Sequence, residues 1–134
     1  MLATEAVKDW IKERLPEGTG ISVGRIDGNA DKYVGVYDKP VRGPQHVCIG
    51  GPPMTRYQEK RVSILIHWTK NPVDAEAAAG ALWQQMYAKT GIFMGETRII
   101  SIDPGATPIG VGFDQKGIAE YVIEATILYE RNET

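Results

Sequence analysis

The chain has 134 residues, 43% hydrophobic and 24% charged, and its 15 Lys+Arg against 17 Asp+Glu leave a net charge of −2. These values fit one folded domain over 1–134 and exclude intrinsic disorder and a polycation built to grip nucleic acid. One cysteine and two histidines exclude an internal disulfide and fall short of a Cys/His structural zinc site.

The first periodic segment runs from about Thr4 to Leu15, where Val7, Trp10, Ile11 and Leu15 recur at helical spacing. It predicts a short amphipathic helix, capped by Thr4 and stopped by Pro16 and Gly18. Ile21–Ile26 and Lys32–Tyr37 read as two strands. Asp27-Gly28 between them tolerates positive φ, which predicts a hairpin. From Asp38 to about Tyr57 prolines and glycines recur without a period, apart from a brief strand-like His46–Ile49. A long loop is expected there, mobile in the free chain and ordered against a partner.

Arg61–Trp68 alternates, with Val62, Ile64, Ile66 and Trp68 on one face and Ser63, Leu65 and His67 on the other. Asn71-Pro72-Val73-Asp74 is a helix start: an Asn cap, Pro at the first helical position and an acid in the first turn. The helix carries Ala75, Ala78, Ala79, Leu82, Trp83 and Met86, and Gly91 is its expected end. A strand over Glu96–Ile102, an extended piece over Pro108–Phe113 and a long strand over Ile118–Tyr129 follow, separated by turns at Asp103-Pro104-Gly105 and Asp114–Gly117. The last strand places Ala119, Tyr121, Ile123, Ala125, Ile127 and Tyr129 on one face, and Glu120, Glu124 and Glu130 on the other. The order α-β-β-loop-β-α-β-β-β predicts an α+β domain, a mostly antiparallel sheet with two helices packed on one face.

Chemistry has little support. His46 and Cys48, two apart, form the one nucleophile-and-base pair, and no orienting group or oxyanion hole accompanies them. His67 is expected on a sheet surface or interface. Glu120, Glu124 and Glu130 on one strand face read as a wetted or subunit-facing surface, since catalytic carboxylates need opposed environments in a cleft. The cluster Arg56, Lys60 and Arg61 is interrupted by Glu59 and reads as a solvated turn. No residue is assigned a catalytic, cofactor-binding or metal role, and no cofactor is expected. No apolar run nears a membrane span, and Met-Leu-Ala-Thr-Glu lacks the pattern of a secretory signal, so the expected setting is a reducing cytoplasm without a membrane partner.

From about residue 33 onward the chain resembles the tail terminator proteins of long-tailed bacteriophages, also described as minor capsid or tail-completion proteins. The resemblance lies in a Gly-rich loop ending in Ile49-Gly50-Gly51-Pro52, the strand Val62–Trp68 and the alanine-rich helix Asp74–Lys89. It continues through Ile99–Ile102 and through Pro108–Gly117, which leads into the long final strand. The resemblance implies a structural virion protein, not an enzyme, at the head-proximal end of the tail, assembled in the host cytoplasm. It implies a hexameric ring that caps the tail tube, ends its polymerisation and joins it to the head. Implied partners are further copies of itself, the tail tube protein and a head-completion or connector protein, with duplex DNA only passing through. A head-side joining role is a related reading.

Candidate interface residues, from position and composition, are Arg42, His46, Met54, Arg56 and Tyr57 on the loop and Glu120, Glu124 and Glu130 on the last strand. The alternative is a small cytoplasmic α+β enzyme or ligand-binding domain that uses the His46/Cys48 loop.

Overall fold

Two long alternating segments form the centre of the fold. A computed structural model describes residues 1–40 and 57–130. In it the helices are α1 (Thr4–Lys12) and α2 (Pro72–Met86). The strands are β1 (Gly20–Val23), β2 (Tyr33–Lys39), β3 (Tyr57–His67), β4 (Thr90–Met94), β5 (Thr97–Asp103), β6 (Ile109–Phe113) and β7 (Ala119–Glu130). The fold is α+β, with two helices and one mostly antiparallel seven-stranded sheet. Strand order is β1-β2-β3-β7-β5-β4, with β6 beside β7.

β3 and β7 pair antiparallel from Tyr57↔Glu130 to His67↔Glu120. This register sets Val62, Ile64 and Ile66 beside Ala125, Ile123 and Tyr121 on one face. Val7, Trp10 and Ile11 of α1, and Ala75, Ala79, Leu82 and Met86 of α2, join the same core. Both helices therefore cover one face. Each large side chain buried there contributes roughly 1.5–3 kcal/mol.

The expected hairpin is replaced by a parallel pair, with Gly20↔Tyr33 through Val23↔Val36 in register. Gly24, at φ 75°, turns the chain out of β1 while its N–H still donates to Val36 O at 2.8 Å. The Asp27-Gly28 turn exists but closes only on itself, Ala30 N–H donating to Asp27 O at 3.1 Å. The chain then returns, so that Gly20 N–H donates to Lys32 O at 3.0 Å. The connection folds over the sheet face away from the helices. A Cβ added at Gly35 would lie 2.7 Å from Ile26 Cγ2, which makes the glycine a condition of this close approach.

Helix ends follow the sequence in part. Asn71 caps α2 as expected, its Oδ1 accepting from Val73 N–H at 3.0 Å with Pro72 in the first turn. Thr4 does not cap α1: it is the first helical residue, and Ala3 holds the cap position without a side-chain hydrogen bond. α1 also stops at Lys12 rather than Leu15, because Arg14 and Leu15 bond three residues back, to Ile11 O and Lys12 O, and tighten the last turn. Gly91 does not end α2. Ala88 takes the left-handed conformation at φ 57°, and Gly91 lies in β4, a strand not predicted because Thr-Gly-Ile-Phe-Met is short and does not alternate. β3 is longer than expected and begins at Tyr57, and β2 runs on to Lys39. The expected loop and its mobility fall largely on residues 41–56, outside the described residues.

Candidate functional site

β7 organises the surface opposite the helices. Along one edge it pairs with β3 throughout. The other edge is shared: β5 takes Thr126–Tyr129 and β6 takes Ala119–Val122, with a register shift in each pairing. Between them the chain turns a corner at Gly105, φ 71°, whose N–H donates to Asp103 Oδ1 at 2.9 Å. One long strand thus carries two short neighbours on a single edge.

The three glutamates predicted as interface candidates lie on this surface, and each has a partner within the chain. Glu124 accepts from Lys39 Nζ at 3.0 Å and from Ser63 Oγ at 3.3 Å. Glu130 pairs with Arg98 Nη1 at 3.2 Å. Glu120 Oε2 accepts from His67 Nδ1–H at 3.0 Å. The exposed Lys39–Glu124 and Arg98–Glu130 pairs add about 0–1 kcal/mol each, but they neutralise the face they occupy. Tyr57 is half-buried at the start of β3, opposite Glu130. Arg42, His46, Met54 and Arg56 lie outside the described residues, as does Cys48.

His67 is not a surface histidine. It is fully buried, with Glu120 on one side and Asp114 on the other, Nε2 lying 3.7 Å from Asp114 Oδ2 without a hydrogen bond. The Asp114 turn is itself ordered: Oδ1 accepts from Lys116 N–H and from Ile118 N–H, both at 2.9 Å. The Lys116 amino group reaches the Asn29 side chain, which joins this turn to the connection between β1 and β2. Alternation placed His67 on the correct face. Part of its cover is the turn that carries Asp114, which no periodicity reveals.

The Ile118 N–H, helped by Lys116 N–H and the neighbouring His67 and Lys116, holds the Asp114 carboxyl below its ordinary range. A lowered folded-state value stabilises above the unfolded value, and the effect is lost as pH falls through the folded one. Asp114→Asn is therefore expected to lower the urea midpoint at neutral pH and to bring mutant and parent together below about pH 4. A gap of constant size across that range would contradict the assignment. Burial, with the charge of Glu120, raises the Tyr37 hydroxyl above its usual value.

Chemically, this arrangement clamps two turns to the sheet. The imidazole is closed off from any substrate, and among the described residues no set of three His, Cys, Asp or Glu side chains could hold a metal ion. Among the described residues no helix is long and apolar enough to cross a membrane.

The feature that sequence reasoning undervalued is β6. All five of its residues are exposed, and Ile109, Val111 and Phe113 are 57%, 54% and 59% accessible. It carries no charge, and its pairing with β7 shifts register between Gly110 and Gly112, the latter at φ 102°. The uncharged Ile-Gly-Val-Gly-Phe alternation was the available signal. α2 is likewise apolar beyond its buried stripe, presenting Val73, Ala77 and Ala81 outward. No protein-family model matches this chain, and no curated protein matches it either.

Proposed function

We propose that the chain is the subunit of a ring that caps the tail tube of a long-tailed bacteriophage, ends its growth and joins it to the head. The observation that carries this reading is β6, a wholly exposed, uncharged, apolar edge strand. Soluble monomers blunt such edges with charge, proline, bulges, short length or cover, because an open edge is a template for another chain. β6 is short and shifts register at Gly110/Gly112, yet has no charge and leaves Ile109, Val111 and Phe113 exposed. Here it makes sense as a contact within an assembly. The ion-paired sheet face suits a conduit, since phosphates are gripped by unpaired cations whose counterions are released on binding. Further support is the resemblance in the order of strand, alanine-rich helix and long final strand.

Electron microscopy of the purified chain, alone and mixed with polymerising tail tube protein, tests this reading. Six-fold rings at tube ends and tubes of arrested length are expected. Unchecked tube growth in an excess of the chain, with no ring among the particles, would overturn it.

A further inference from the structure

Among the described residues β1, β4 and β6 each pair on one side alone, and β1 and β6 stand at the same height. The register runs Gly20↔Tyr33↔His67↔Glu120↔Gly112, then Ile21↔Val34↔Ile66↔Tyr121↔Gly110, then Ser22↔Gly35↔Leu65↔Val122↔Ile109. Three hydrogen-bonded rows therefore begin on β1 and end on β6. β1 is Gly-Ile-Ser-Val, as uncharged as β6 and nearly as long. Its inner groups are used by Gly20 and Gly24, which bond to Lys32 O and Val36 O, so alternation turns the Ile21 and Val23 backbone outward.

Strand sense completes the match. β3 and β6 both run antiparallel to β7, so they share one direction. β2 runs against β3, and β1 runs with β2, so β1 and β6 point oppositely. A rotation about an axis roughly along the strands keeps every strand's sense, and it would lay β6 of one subunit antiparallel against β1 of the next. This is the more stable kind of ladder. A hairpin at β1 and β2 would have made the same contact parallel.

We infer that β6 docks on β1 of a second copy of this chain, extending the sheet from subunit to subunit. The inference rests on the ring reading above and supplies its contact. The two surfaces differ, so the contact is heterologous, and equal height lets rotation close it without the rise that produces a filament. Five strands per subunit in six copies, about 4.8 Å apart, give a closed sheet roughly 45 Å across. The partner is thus another copy, held by backbone pairing and flanked by Val23 and Val111.

Ser22 and Ile109 end the same row on the same face, so across the proposed contact their Cβ atoms would lie about 4.5–5.5 Å apart. The experiment oxidises the Ser22→Cys/Ile109→Cys variant in a Cys48→Ser chain and weighs the products. A covalent ladder ending at six is expected, with no cross-linking in either single variant. Dimers from Ile109→Cys alone would mean that two β6 edges meet each other, and would overturn the inference. A hexamer by mass without cross-links would overturn it too, while leaving the ring reading in place. A ladder running past six would support the edge contact and defeat the ring. An uncross-linked monomer, both alone and with tail tubes, would defeat both. Val111→Lys, on an exposed position, provides a second arm: melting at concentrations where both chains are monomeric should be unchanged, and the concentration for half-assembly should rise at least tenfold. Unaltered assembly would count against the contact.

Discussion

Truncating Leu82 to alanine is expected to lower the free energy of unfolding by about 2–5 kcal/mol. Leu82 is 2% exposed and lies on the α2 stripe with Ala75, Ala79 and Met86, against the face of β3 and β7. Two of those helical neighbours are alanines, with no side-chain length to swing into a void, so most of the lost volume would stay as a cavity. Chemical denaturation at constant slope gives the number directly. Gln84→Ala, exposed on the same helix, should stay within about 0.5 kcal/mol. A loss that small for Leu82 would mean that the helix buries another face.

His67→Ala should have an effect of about 3–5 kcal/mol, through a different route. The substitution removes a fully buried ring, leaves Glu120 without its 3.0 Å donor and takes away the group lying between Glu120 and Asp114. The void would also lie beside the Asp114 turn, which Lys116 joins to Asn29, so amide exchange should rise over 114–118 and then 27–32 before the core opens. Ser63→Ala, which removes one bond to Glu124 on the same face, should cost no more than about 1 kcal/mol. A comparably small loss for His67 would show that the clamp is not structural.

What the sequence displayed depended on how each element is stabilised. β3, α2 and β7 were legible because each carries a long apolar pattern of one period, and burial of Val62, Ile64, Ile66, Ile123, Ala125 and Ile127 follows it. The Asn71 cap was legible because it is local chemistry. The β1–β2 pairing was not, since Asp27-Gly28 makes a turn in either topology and only the return of Lys32 beside Gly20 decides the direction. β4 depends on its pairing with β5 for its identity, and Thr90–Met94 alone shows no alternation.

The candidate site was legible as a face and illegible as a network. Glu120, Glu124 and Glu130 were placed together by period two, yet their partners Lys39, Ser63, His67 and Arg98 come from β2, β3 and β5, which only the sheet brings near. The edges of β1 and β6 that are unpaired among the described residues belong to the topology as a whole. Their common height appears only once five strands are in register.

Sedimentation of the purified chain across a range of concentrations gives the mass of the assembly. A species six times the 14.7 kDa subunit is expected, in equilibrium with monomer and shifted to at least tenfold higher concentration in Val111→Lys. A dimer that stays a dimer as concentration rises, with Val111→Lys behaving as the parent, would contradict the ring reading.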